Sequence, residues 1–238
     1  MRWFLIVVLA VASCKKPPEP VVVAPPRDPA SIPPPVYVTG PSATESFWKW
    51  AAENIEALKA VKTGHEPVTA ELARKLDEVD QGFVFELGIG HEPFELIISA
   101  DGQKALFPKV QQFVAAAPAI AGVKVVAFRQ RKAIEGFSMK VGETTLAGKD
   151  LWFVAGEDPS RKGMLGIDVF IVGMRGEHDE RLENAAFVML EATVGEYDLE
   201  TKVGEIQFKP APGKLEAPLK PLKELPAVVD AWNQASPR

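Results

Sequence analysis

Cysteine is almost missing from this chain of 238 residues, which has one, Cys14. A lone thiol excludes an intramolecular disulfide and any zinc site built on several thiolates, so the folded part must be held by its core. Histidine is scarce too, occurring at His65, His91 and His178. The tripeptides His65-Glu66-Pro67 and His91-Glu92-Pro93 repeat, but the helical H-E-x-x-H spacing fails, because position 95 is Glu95 and Pro93 would break the helix. Both read as turns, where proline and polar residues are the default, so neither a metal nor another cofactor is expected. Basic surplus is also absent: Lys and Arg number 27 against 32 acids, a formal charge of −5. That balance argues against nucleic acid as a partner. The apolar run at the N-terminus, Trp3 to Val11, is too short to cross a bilayer, which takes about 20 residues.

That run has instead the parts of an export signal: Arg2, the apolar core, and small residues before a cleavage point. Val11-Ala12-Ser13-Cys14 follows the core directly and resembles the lipobox of bacterial lipoproteins, with Val11 where that family prefers leucine. The resemblance implies that residues 1–13 are a signal peptide, that the chain is cut before Cys14, and that palmitate-type acyl chains on Cys14 make the lipid bilayer a partner. Each buried methylene contributes about 0.8 kcal/mol and lasting attachment takes two or more chains, which one acylated cysteine supplies. Lys15, rather than aspartate, follows the cysteine, and the same resemblance then implies the outer membrane over the inner. The expected location is the cell envelope, extracytoplasmic. The rival is an ordinary secreted protein whose cysteine falls here by chance.

Residues 14–43 are crowded with proline, from Pro17 to Pro41. Proline fixes φ and restricts its predecessor, so this stretch reads as an extended stalk reaching at most roughly 80 Å, at about 3.1 Å per residue. P-x-x-P matches, such as Pro17 to Pro20, make it a candidate ligand as well. Residues 44–232 have the length of one domain, and 233–238 form a tail.

Within that domain Ser42-x-x-Glu45 reads as a capping box, and Phe47, Ala51, Ile55, Leu58 and Val61 recur at helical spacing until Gly64. Thr69 would cap a second helix carrying Leu72, Leu76 and Val79. Strands over 83–87 and 94–98 form a hairpin, a helix with Val110 and Phe113 follows, then a strand over 124–128. The order recurs: strands over 151–155 and 165–172, a helix from Leu182 to Gly195, a strand over 203–208, and a last short helix with Leu225, Val229 and Trp232. The fold class is α+β, a mixed β-sheet with helices packed on it. Two successive ββαβ units imply either a duplication or one continuous mixed sheet.

Glu95-Leu96-Ile97-Ile98-Ser99-Ala100-Asp101-Gly102, then Phe107-Pro108-x-Val110, Ala116-Ala117-Pro118, Phe128-Arg129-x-Arg131 and Gly195-Glu196-Tyr197-Asp198 resemble a bacterial family of uncharacterised proteins over most of the domain. The resemblance implies no activity.

Motifs for chemistry are thin. Ser46-x-x-Lys49 and Lys62-Thr63-Gly64 match pieces of penicillin-recognising enzymes, but the second should lie on a distant strand and here ends the same helix. Gly136-Phe137-Ser138-Met139-Lys140 lacks the last glycine of a nucleophile elbow. A hairpin turning about Gly90 and His91 would set Glu86 opposite Glu95, an acidic pair able to share a proton or hold a cation, against the reading of a solvated outer face. Arg129, Arg131 and Lys132 are the main basic cluster, and Asp168, inside an apolar strand, needs a partner such as Arg129. The reading is an envelope lipoprotein displaying a non-enzymatic binding or assembly domain for an envelope protein or polysaccharide. The alternative is an envelope hydrolase using Glu86 and Glu95.

Overall fold

The computed structural model describes residues 41–90 and 92–235, with side chains through Trp232. Cys14, the signal peptide at 1–13, the stalk up to Gly40, His91 and the side chains of the 233–238 tail therefore lie outside the described residues. The fold is α+β.

Ser42 starts the chain of helices as a capping box: its Oγ accepts from Glu45 N at 3.2 Å, and the Glu45 carboxylate accepts from Ser42 N at 2.7 Å. The resulting helix α1 (Ala43–Glu53) does not run on to Gly64. It ends at Asn54, whose side-chain amide donates to Trp50 O at 2.9 Å, and a single short helix α2 (Ile55–Lys59) follows. Helix α3 (Pro67–Asp77) opens on a proline, which loses nothing in a first turn because that N–H has no helical partner. Thr69, expected as the cap, lies inside α3 and donates its hydroxyl to Gly64 O at 2.9 Å and Glu66 O at 2.6 Å.

Two sheets follow. Strands β1 (Val84–Gly88), β2 (Phe94–Ser99) and β3 (Val123–Ala127) lie in that order, β1 antiparallel and β3 parallel to β2, with α4 (Phe107–Ala115) between β2 and β3 in the chain. After a small hairpin of β4 (Ser138–Val141) and β5 (Thr144–Ala147), the scheme recurs. Strand β6 (Leu151–Glu157) pairs antiparallel with β7 (Leu165–Ile171), helices α5 (Glu180–Val194) and α6 (Glu196–Lys202) intervene, and β8 (Val203–Pro210) returns parallel to β7. A two-residue β9 (Lys220–Pro221) pairs with β6, and α7 (Leu225–Ala235) ends the described chain. The two ββαβ units are therefore present with the same connectivity, and the alternative of one continuous sheet is corrected: among the described residues the units form separate sheets.

Each of these two sheets packs a face on its own core, and β2 at the centre of the first has buried residues on both faces. In the first unit Phe47, Trp48 and Phe113 pack with ring centroids 4.8 to 5.0 Å apart, over Leu96 and Ile98, and Trp48 Nε1 donates to Phe113 O at 3.0 Å. In the second, Leu165, Ile167, Val169 and Ile171 alternate inward against Ala186, Met189 and Leu190 of α5, with Leu225 and Val229 of α7 and Leu146 of the hairpin in the same core. Full burial of each such side chain contributes about 1.5 to 3 kcal/mol.

A buried aspartate ties the second sheet's turn to its third strand. Asp158 Oδ1 accepts from Ser160 N, Ser160 Oγ and Arg161 N at 2.7 to 3.0 Å, and Oδ2 accepts from Glu205 N at 2.6 Å. These bonds, that of the Ser160 hydroxyl foremost, hold its carboxyl below the usual range. A Cβ at Gly204 would stand 2.0 Å from Oδ2. Gly204→Ala should therefore lower the unfolding free energy by roughly 1 to 3 kcal/mol in urea titration, the usual cost of overpacking a well-filled site. A loss within measurement error would show that the carboxylate is free to move.

Candidate functional site

Four of the sequence motifs meet at one seam between the two units. Its centre is Glu196, fully buried at 0% exposure at the start of α6. Glu196 Oε1 accepts from Ala100 N and Gly102 N, both at 3.2 Å, and Oε2 accepts from Arg129 N at 3.1 Å. Its own N–H donates to Arg129 O at 3.0 Å, so the Gly195-Glu196 and Phe128-Arg129 segments grip each other reciprocally. The two non-glycine residues with positive φ among the described residues, Asp101 (+48°) and Phe128 (+67°), flank these donors. Aspartate tolerates that region, whereas for phenylalanine it is an outlier held by its surroundings. Phe128 is wedged between Phe107 and the half-exposed Tyr197, with ring centroids 4.5 and 5.3 Å away.

Around this anchor stands an excess of acid. The Arg129 guanidinium bonds Glu86, Asp101 at 3.2 Å and Glu191 at 3.3 Å. Burial opposes its charge, but the carboxylates of Glu191 and Glu86 outweigh that and hold it above its ordinary value. Burial likewise pushes the Glu191 carboxyl up, with Arg129 pulling the other way. Arg131 donates to Val194 O at 2.8 Å, takes both oxygens of Asp230 at 2.8 and 2.9 Å, and reaches Asp198. Lys132 N closes the seam by donating to Ala192 O at 2.7 Å.

The acidic pair expected from the hairpin is corrected. Ile97 faces Glu86 and Gly88 faces Glu95, because the turn spans more residues than a hairpin about Gly90 and His91 requires. Glu86 joins Arg129 in the seam, while Glu95 bonds Lys124 Nζ at 2.8 Å on the neighbouring strand. Asp168 is corrected as well: it points away from the core and bonds Lys209 at 2.6 Å, not Arg129. Of the histidines, His65 lies in a loop organised by Glu66, whose Oε1 accepts from Lys62 N and Thr63 N at 2.8 and 3.0 Å, bonds that hold its carboxyl down to about 2. His178 meets Glu183 at 3.0 Å before α5, and no cluster with metal-binding composition occurs among the described residues. Ser138 opens strand β4 rather than an elbow.

A separate hollow of about 860 Å³ lies beside the β4–β5 hairpin. Ile134, Phe137, Ala147, Trp152 and Pro221 line it, with Glu135, Lys149 and Lys223 also on its wall. Trp152 stands on the outer face of the second sheet, opposite Phe170 on one side and Pro221 on the other. Its indole Nε1–H is shielded from water and has no acceptor. Sequence reasoning missed this hollow, and it missed Glu191; Glu196 was visible only as part of a motif.

Two tests address the seam. Glu196→Gln keeps the shape but turns an amide N–H₂ toward backbone donors, so stability should fall by about 1 to 3 kcal/mol in chemical denaturation. The raised Glu191 means the folded state holds its proton longer than the unfolded one. Its contribution to stability therefore falls as pH rises from the ordinary carboxylate range through the raised value. Glu191→Gln should remove that fall, seen as a flatter stability–pH curve over that interval; parallel curves would refute the assignment.

No family model, no curated protein and no solved structure matches this chain.

Proposed function

We propose that this chain is a membrane-anchored lipoprotein of the bacterial envelope, held by acyl chains on Cys14 and displaying a non-catalytic binding or assembly domain. The observation that carries the reading is a division of labour. The seam's acids are engaged by guanidinium groups and backbone N–H groups, and the hollow beside the β4–β5 hairpin has apolar and aromatic walls with charges in only part of its lining. Concave apolar surfaces with a few placed polar groups are how proteins hold ligands and partners. The lack of a membrane-spanning helix among the described residues accords with attachment through lipid. The competing reading, a hydrolase using Glu86 and Glu95, has less support, because the register sets them diagonally and each is ion-paired, Glu86 with Arg129 and Glu95 with Lys124. An envelope protein or a polysaccharide remains the class of partner.

Intact-mass analysis of the protein from membranes of its host tests the anchor. The expected result is a mature chain starting at acylated Cys14, with Cys14→Ala left uncut or released from the membrane fraction. An unmodified Cys14 in a membrane-free protein would overturn the reading.

A further inference from the structure

We propose that the open hollow beside Tyr197, at the rim of the seam, binds an uncharged sugar unit of a polysaccharide. This rests on the reading of the domain as a binder and names the chemistry of its partner.

An aromatic platform stands in this hollow of about 480 Å³, which is lined by Gln111 of α4, by Phe128, Gln130 and Arg131 after β3, and by Tyr197 and Asp198 of α6. The Tyr197 ring is fixed by its neighbours yet remains 40% exposed. Its centroid lies 5.6 Å from that of Phe107 and 5.3 Å from that of Phe128, and those two are 4.5 Å apart. Both phenylalanines therefore sit on one side of the tyrosine, and its exposed area is turned away from them. A ring held in this way loses little freedom on binding. The C–H groups on the face of a sugar ring carry slight positive charge and pack on the negative face of an aromatic ring.

Charge selects against ionic ligands. The two guanidinium groups on the wall are engaged, Arg129 by Glu86, Asp101 and Glu191, and Arg131 by Asp198, Asp230 and Val194 O. A phosphate or carboxylate would thus find its cations taken, and a cation would meet an Asp198 already paired with Arg131 and Lys202. Neutral hydrogen-bonding groups are what the wall has to spare. Gln130 Nε2 donates to Ala127 O at 2.9 Å and Phe128 O at 3.2 Å, which orients the amide and leaves Oε1 as an acceptor. The Gln111 amide and the Tyr197 hydroxyl have no hydrogen-bond partner among the described residues, and each can both donate and accept. Sugar hydroxyls do the same, whereas an acyl chain would leave these groups unpaired. A partner β-strand is disfavoured, because the carbonyls of Ala127 and Phe128 already accept from Gln130. The hollow has the ordinary volume of a ligand site, and it is open to solvent, so a unit inside a chain can enter without a free end.

Saturation-transfer NMR on the full chain in detergent, with maltotetraose, cellotetraose and chitotetraose as probes, tests the proposal. Irradiating the protein's aromatic protons should transfer saturation to the ring C–H protons of at least one of the three, and titration of that probe should saturate. Tyr197→Ala should weaken it about tenfold or more, as loss of an aromatic anchor does, and Tyr197→Phe, which keeps the ring, should stay within about threefold. Gln111→Ala, at an exposed position bonded to nothing in the fold, should cost about threefold to tenfold, and Phe137→Ala, in the other hollow, should change nothing. Silence from all three probes, full affinity in Tyr197→Ala, tighter binding of tetragalacturonate than of the uncharged probes, or equal affinity for free glucose would each overturn it, the last by giving the site to a small sugar. Acylated Cys14 together with silent probes would remove the sugar assignment and leave the anchored binder standing. Unmodified Cys14 with saturable binding would do the reverse.

Discussion

A buried carboxylate holds the two ββαβ units in register. Glu196 has no access to water, so its charge is tolerable only while the backbone N–H groups of Ala100, Gly102 and Arg129 converge on it. Hydrogen bonds to a charged group contribute about 1.5 to 3 kcal/mol each, and losing one leaves a buried group unsatisfied. The convergence demands a particular backbone: Asp101 and Phe128 must both take positive φ, and Gly195, at φ +84°, must end α5 so that α6 can begin at once. The local strain at those positions is offset by the bonds it makes possible.

The same constraint shapes the electrostatics. Arg129 presents its backbone N–H to Glu196, and its guanidinium then lies among Glu86, Asp101 and Glu191. Burial raises the carboxyl of Glu191, and Arg129, shared with Glu86 and Asp101, only partly offsets it. Within the basic cluster read from the sequence, Arg129 and Arg131 are the struts by which the first unit grips α5, α6 and Asp230 of α7. The hollow by the small hairpin shares none of its lining residues with this network, and Phe137 and Trp152 are among its walls.

Long, periodic segments were legible in the sequence. Strands β1, β2, β6 and β7, the helix over 107–115 and that over 180–194 show apolar patterns because each packs a face on a core. Segments of two to seven residues, such as β9, the β4–β5 hairpin and α6, hold too few turns or alternations to produce a period, and they depend on contacts for their shape. The break in the first helix at Asn54 was hidden because Ile55 and Leu58 continue the apolar spacing across it.

By itself the sequence determined the class of fold and the order of its longer elements, since propensity and periodicity are properties of neighbouring residues. Only the tertiary structure decided which acid meets which cation. Glu86 and Glu95 separated because the register follows the true length of the turn, and Asp168 found Lys209 because alternation along β7 turned it outward. Glu196 lies 94 to 96 residues along the chain from Gly102 and Ala100. No local pattern encodes a pairing over that distance; it exists because two cores, once folded, bring the ends of their strands and helices to one seam.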